Sequence, residues 1–282
     1  MPKTITISFE ELKNLKKFIL ATGIKRVPVR NEYELLRIKD NDVSIIVYRT
    51  GKLVYEDTES TRKIIDAIIA KEKQDYDYIL GSDEVGKGEW YGPLVVVCTA
   101  LTTDLIRKYR KLGVRDSKTL SIKKLFSLER EISQDKFPKQ VSYLMPETYN
   151  RLYDEFVKEG KNLNDLLAWI HSAAIKKVLE LIKYERVKIV IDKFDIEKTY
   201  RRLYTIDDSK VKIVQKSRGE TEIPVAVASI LAKVRYERLV DSLNEKYNID
   251  LRSSRPEDID IEILPYVAKL HFKNVRKVMN KC

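Results

Sequence analysis

Apolar positions follow two different rhythms along this 282-residue chain. Up to about residue 75 they recur at helical spacing or alternate in short runs. Leu12, Leu15, Phe18 and Ile19 lie on one helical face behind Ser8 and Glu11, a capping-box signature, and predict a helix. Apolar runs at 33–38, 43–48 and 53–55 are separated by Asp40-Asn41-Asp42 and Thr50-Gly51, so they predict an antiparallel meander. Ile64, Ile65, Ile68 and Ile69 place a second helix over about 58–73, and the polar run 71–75 reads as a linker. From residue 76 the runs become nearly continuous. Strands are expected at 77–82, 91–101, 140–145, 187–192 and 210–215, with helices near 103–112, 121–134, 147–158, 163–184, 223–247 and 256–280. That alternation predicts an α/β domain with a mixed sheet flanked by helices. The reading is therefore a small α+β domain over 1–75 and a larger α/β domain over 76–282, as the length alone also suggests.

Charge narrows the classes of partner. The chain carries 54 basic and 43 acidic residues, a formal net charge of +11. Such an excess suits a polyanion, either nucleic acid or an anionic membrane surface, and also fits a lysine-rich proteome. No apolar run approaches the ~18 residues of a membrane span and no secretory start is visible, so the expectation is a cytosolic protein with no membrane partner. The cysteines are Cys98, in a predicted core strand, and Cys282. Neither a structural disulfide nor a cysteine zinc site is expected on that count. Two histidines, His171 and His271, do not make a histidine cage; His171 lies in an apolar helix and reads as structural.

The candidate chemistry sits in one segment. Ile79-Leu80-Gly81-Ser82 runs straight into Asp83-Glu84, followed by Val85-Gly86-Lys87-Gly88-Glu89-Trp90-Tyr91-Gly92-Pro93. Neighbouring residues of a regular strand face opposite ways, so these two acids share one site only if the strand ends or bulges there, which the glycines would permit. A tight turn bearing two solvated acids is the plainer reading. Asp192 closes the apolar run 187–191, where a buried charge calls for a partner or a metal, although a helix cap fits too. Glu220 and Glu222 precede the small-residue stretch 226–233, where acids also favour a helix N-terminus. Four converging carboxylates without histidine or cysteine would form a hard oxygen site suited to Mg²⁺ or Mn²⁺. Two such ions ~4 Å apart suit in-line phosphoryl displacement.

These blocks resemble ribonuclease HIII, of the type 2 ribonuclease H group. The resemblance rests on Gly81-Ser82-Asp83-Glu84-Val85-Gly86-Lys87-Gly88, Gly113-Val114-Arg115-Asp116-Ser117-Lys118, Ile191-Asp192-Lys193-Phe194, the stretch Ala226-Val227-Ala228-Ser229-Ile230-Leu231-Ala232-Lys233, and Lys269-Leu270-His271-Phe272-Lys273-Asn274, all in the family's order. It implies a ribonuclease H-like fold with an N-terminal domain similar to the TATA-binding protein, which helps to hold the substrate. It implies an endoribonuclease that cuts the RNA strand of RNA/DNA hybrids with two divalent ions, leaving 5′-phosphate and 3′-hydroxyl ends. Asp83, Glu84, Asp192 and Glu220 would hold metal. For the fourth acid, counting back from Pro224 selects Glu220, counting back from Ser229 selects Gly219, and Glu222 is the alternative. Gly86, Lys87, Gly88, Lys118, Ser229 and Lys233 would meet the duplex. A monomer is expected. Incision at single ribonucleotides, as ribonuclease HII performs, is a close alternative, but the tyrosine-bearing segment expected near 250–256 is missing. A hybrid-binding protein without turnover is the alternative of another class.

Overall fold

The computed structural model describes residues 2–7, 9–69, 76–114, 120–192, 210–216 and 222–280. Two compact units result. One comprises residues 1–75 with 104–113, the other 76–103 with 114–282.

The first unit is a five-stranded antiparallel sheet with helices on one face. Its strands are β1 (Pro2–Thr6), β2 (Arg26–Val27), β3 (Glu34–Asp40), β4 (Val43–Tyr48) and β5 (Lys52–Glu56), in the order β1-β5-β4-β3-β2. The expected meander is its centre; β1 and β2 extend it at both edges. Neither edge strand has the apolar alternation by which the others are recognised, because each borrows its place from a neighbour's unpaired backbone. Burial alternates strictly along β4, with Val43, Ile45 and Val47 inward. Inward residues pack on helices α1 (Phe9–Thr22) and α2 (Glu59–Ile69) through Leu15, Ile19, Ile64, Ile65 and Ile68. The opposite face carries Thr4, Val54, Ile46, Arg37 and Val27 in one transverse row. Ser8, the expected cap of α1, lies outside the described residues.

Residues 104–113 join this unit through helix α3 (Thr103–Lys111). Arg110 forms an ion pair with the buried Glu11 of α1, and Lys111 pairs with Asp66 of α2. A helix read from the sequence as part of the second domain is thus counted with the first.

The second unit is a mixed five-stranded sheet, ordered β10-β9-β6-β7-β8. Its strands are β6 (Tyr78–Val85), β7 (Leu94–Leu101), β8 (Lys139–Leu144), β9 (Val187–Asp192) and β10 (Val211–Lys216). β6, β9 and β10 run parallel, while β7 runs antiparallel to β6 and β8. All eight residues of β7 are buried, which requires cover on both faces. Helices α5 (Pro146–Lys158) and α6 (Leu163–Glu180) supply one cover: Leu80, Val96, Cys98 and Ile189 pack with Leu167, Ile170 and Ala174. Helix α4 (Ile122–Ile132) lies between β7 and β8 in the chain.

The other cover is helix α7 (Ile223–Tyr247), apolar on almost every side over its first three turns and buried throughout them. It comes unusually close to the sheet. A Cβ on Gly81 would lie 2.2 Å from the backbone carbon of Pro224, so only glycine fits there. The Thr99 hydroxyl, on the strand beside it, donates to the Pro224 carbonyl at 3.0 Å. The buried Ala226, Ala228 and Ala232 keep the approach tight.

The helix expected over 256–280 is broken into a 3-10 turn (Pro256–Asp258), a single helical turn α8 (Leu264–Val267) and α9 (Lys273–Met279). The interruption has a cause. Ala268 takes an extended conformation opposite Tyr91, and Lys269 donates its backbone N–H to the Trp90 carbonyl at 2.7 Å. Strand β7 likewise begins at Leu94 rather than 91, because 86–93 is committed to that segment.

Candidate active site

The strand bearing the two acids neither ends nor bulges at them. β6 continues through Asp83, Glu84 and Val85, which pair in register with Val97, Val96 and Val95. The expected break is therefore absent, and the paired acids diverge. Asp83 shares a face with Gly81, under α7. Glu84 shares a face with Leu80 and Ser82, towards α6.

Each face supplies its own partner. The Asp83 carboxyl is hydrogen-bonded to the hydroxyl of Ser229, a residue of α7 that is 2% exposed. Glu84 meets His171 of α6, whose Nε2 lies 3.1 Å from Glu84 Oε2. The other nitrogen of that ring, Nδ1, lies 2.7 Å from the Ser82 hydroxyl. An ionised carboxylate only accepts, so Nε2 carries the hydrogen and Ser82 donates to Nδ1. The chain Ser82–His171–Glu84 thus fixes both the tautomer and the carboxylate. His171 had read as structural. The available signal was its setting: a histidine fully buried among Leu166, Leu167, Ala168 and Ile170 must find polar partners.

Electrostatics mark the acid pair. Desolvation first, and the Glu84 charge second, push the Asp83 carboxyl up to about 7 from its ordinary 3.8, against the Ser229 hydrogen bond and nearby His171. Although the two side chains leave opposite faces of the strand, the Glu84 charge still acts on the Asp83 carboxyl, so a cation near both is favoured without the break that the sequence reading required. The Lys87 ammonium approaches Glu84 Oε1 at 3.8 Å, a partial compensation. The donors are hard oxygens, which suits Mg²⁺ or Mn²⁺ better than zinc.

Asp192 enters through sheet register. β9 lies beside β6 with Ile191 opposite Ser82, so the next step brings Asp192 abreast of Asp83 on an adjacent parallel strand. The position of Asp192 is described but its side chain is not. Glu220 and Lys118 lie outside the described residues. Among those that are described, no group of three or more His, Cys, Asp or Glu could hold a metal. Glu222 is the N-cap residue of α7 without a side-chain cap bond.

The remaining expected contacts are dispersed along the same edge. Gly86 adopts φ +95°, and a Cβ there would lie 2.1 Å from the Pro93 carbonyl oxygen, so the turn requires glycine. Gly88 is exposed. Lys233 stands one turn beyond Ser229 on α7, and its ammonium is 2.8 Å from Glu237 Oε1. Glu237 also accepts from Arg252 at 2.6 Å.

A family model for ribonuclease HII matches residues 80–262, the acids, the three covering helices α5, α6 and α7 and the intervening strands included. The chain belongs to the ribonuclease HII family. Within that family its similarity extends over both units. It is 27% identical to the ribonuclease HIII of Oceanobacillus iheyensis, with 98% of this chain and 97% of that protein covered. It is 29% identical to the ribonuclease HIII of Phytoplasma mali, with 97% of each covered. Its fold is that of Bst-RNase HIII, solved in complex with Mn²⁺ (TM-score 0.62, 24% identity, 100% of this chain and 99% of that one). The RNase H3 of Aquifex aeolicus is similar too (TM-score 0.56, 22% identity, 96% and 100% covered). The α/β unit is therefore ribonuclease H-like, preceded by the small α+β unit of ribonuclease HIII. No described helix is long and apolar enough to cross a membrane.

Proposed function

We propose that this ribonuclease HII family member hydrolyses the RNA strand of RNA/DNA hybrids, as a divalent-metal-dependent endoribonuclease leaving 5′-phosphate and 3′-hydroxyl ends. The observation that carries the reading is the arrangement of acids: Asp83 on Ser229 of α7 and Glu84 on His171 of α6, with Asp192 one step beyond the Ser82–Ile191 pair on the adjacent parallel strand. Such a site gains most when a cation neutralises it. The full-length likeness to proteins named ribonuclease HIII supports the substrate class.

Asp83, Glu84, Asp192 and Glu220 hold the metal in this reading, two Mg²⁺ or Mn²⁺ ions being expected. Bound there, they supply Lewis acidity and a lowered water pKa. The protein's own groups do the positioning. Ser229 orients Asp83, and His171, set by Ser82, orients Glu84. The Gly86-Lys87-Gly88 turn faces the RNA strand, with its glycines allowing backbone to approach the ribose 2′-hydroxyls and Lys87 reaching a phosphate. Lys118 and Lys233 add phosphate contacts. Hydrolysis joins a water oxygen to the scissile phosphorus and breaks the bond from phosphorus to the 3′ oxygen. The open sheet face of the first unit, with Arg37, Lys39 and Lys52 on it, holds duplex without reading bases. We place the enzyme in the cytosol as a monomer.

A labelled hybrid incubated with Mg²⁺ or Mn²⁺ tests this, comparing the native chain with Asp192→Asn and adding a duplex with a single ribonucleotide. Metal-dependent cuts within the RNA run, lost in the variant, are expected. Binding without cleavage would overturn the catalytic reading. Cleavage confined to the single-ribonucleotide duplex would move the assignment to junction incision.

A further inference from the structure

Between β6 and β7 the chain must reverse over residues 86–93, immediately after the two acids. Its own backbone offers little to hold that turn: the Glu89 N–H reaches the Gly86 carbonyl at a long 3.4 Å. Two glycines in the turn have positive φ, Gly86 and Gly92, so the segment has conformational freedom to lose. Something outside the turn must order it.

Tyr236 of α7 contributes one bond, its hydroxyl donating to the Tyr91 carbonyl at 3.2 Å, and most of the rest comes from one residue. Lys269 is 0% exposed, and its ammonium donates to the carbonyls of Glu89 at 3.0 Å, Tyr91 at 2.9 Å and Gly92 at 2.8 Å. Its backbone N–H takes the remaining carbonyl of the series, Trp90, at 2.7 Å. Four consecutive carbonyls thus converge on one residue. An ammonium has three N–H donors, matched here one to one by three acceptors; the planar fork of arginine cannot converge in this way, and an apolar side chain would strand the Glu89 and Gly92 carbonyls and leave Tyr91 only the Tyr236 hydroxyl. Burial pushes Lys269 down to about 7, with Glu89 acting in the opposite direction. A charge is kept in the interior only where it has such partners.

Lys269 is itself held. Asn150 of α5 donates to the carbonyls of Pro265 at 3.1 Å and Ala268 at 2.9 Å, and its side-chain oxygen accepts from the Leu270 N–H at 2.9 Å. The Gly92 N–H returns to the Val267 carbonyl at 2.8 Å. The Tyr149 ring lies 5.7 Å from the ammonium. The segment 264–272 is thus a rigid bracket around the turn, which accounts for its departure from helix.

We infer that Lys269 is a positioning residue for substrate binding: it gathers the carbonyls of 89–92 and so sets the conformation in which Gly86, Lys87 and Gly88 meet the duplex. The inference rests on the hybrid-cutting reading for its substrate and on the turn alone for its mechanism. Lys269 touches neither acid, so its loss acts on binding rather than on the metal site.

Lys269→Met tests it, with Asn150→Ala as a second variant that loosens the bracket and leaves the ammonium in place. Hybrid affinity is read by anisotropy without divalent ions, Mn²⁺ affinity by paramagnetic resonance, and amide exchange segment by segment. Hybrid affinity should fall about tenfold in Lys269→Met and less in Asn150→Ala, since small misplacements of a binding group are costly. Mn²⁺ affinity should stay within about twofold of the native value, because the acids keep their own partners. Exchange should quicken over 86–93 and not in β7. Unchanged hybrid affinity in both variants would overturn the proposal, as would exchange quickening equally through β6 and β7. Should Lys269→Met fail to fold, Asn150→Ala decides by the same criteria. A native chain that binds no hybrid would sink the functional reading instead, and exchange confined to 86–93 would still establish Lys269 as the clamp.

Discussion

The two sheets of this protein have five strands each and bury them differently. In β4 every second residue is inward, while in β7 all eight are. The first sheet has described helices on one face only, and positions on its other face are half-buried or exposed. The second is covered on both faces, and its chemistry is confined to the place where a strand emerges from between two helices. A one-faced sheet can offer area to a partner; a two-faced sheet can offer only its ends. On this contrast rests the proposal that catalysis and holding belong to separate units. Raising a carboxyl to about 7 needs desolvation, which only the covered sheet supplies.

The sharpest test of the contrast lies at the emerging strand. Asp83→Asn should reduce hybrid cleavage by about a thousandfold or more, the scale expected when a group that acts with others in one site is lost. The same variant should flatten the pH dependence of stability. Asp83 holds its proton more tightly when folded than its ordinary 3.8 would allow, so the metal-free protein loses this contribution to stability as pH rises from about 4 to about 7. The amide of Asp83→Asn cannot titrate, so denaturant unfolding across that range should lose the corresponding slope. An unchanged slope would mean that Asp83 is not desolvated.

Next comes the cover itself. Gly81→Ala pushes a Cβ to 2.2 Å from α7 backbone, which no side-chain rotation relieves. A loss of about 3 kcal/mol in denaturant unfolding is expected, at the upper end for overpacking. A smaller loss would show that α7 can lift from the sheet.

His171 on the opposite face should matter less. His171→Ala removes a partner of Glu84 rather than an acid, and activity should fall about tenfold to a hundredfold, as for other residues that orient ligands. His171→Gln, which can still present an N–H to Glu84, should recover part of it. Equal activity in both would reduce His171 to packing.

The smallest effect belongs to the open sheet. Lys39→Glu with Lys52→Glu should weaken hybrid binding several-fold and leave kcat unchanged, because phosphate contacts act on affinity. A fall in kcat at saturating hybrid would break the division of labour between the sheets.

How much of this was legible from residues follows the same contrast. Strands β3, β4 and β5 were visible because alternation is a local property; β1 and β2 were not, since two-residue and polar-edged strands exist only by pairing. Helix α7 was visible as an apolar run that no solvent-facing helix could tolerate. The 256–280 helix was not correctly foreseen, because its interruption answers to Trp90 and Asn150, more than a hundred residues earlier. Among site residues, Asp83, Glu84 and Asp192 could be singled out as acids at the ends of apolar runs. The opposite orientation of the first two could not, as it depends on the strand continuing to Val85. His171 and Lys269 acquire their partners only across the fold, His171 from a strand 87 residues away and Lys269 from a turn about 180 residues away.

The order of residues was enough to mark strands β3 to β10 and helices α1 to α7, which acids close apolar runs, and which family the chain resembles, because those properties depend on near neighbours. Packing in three dimensions settled which face each acid occupies, which helix covers it, that α3 is counted with the first unit, and that one buried lysine collects four carbonyls. Burial and hydrogen-bond partners are set by what packs alongside, and in this chain what packs alongside is usually distant in sequence.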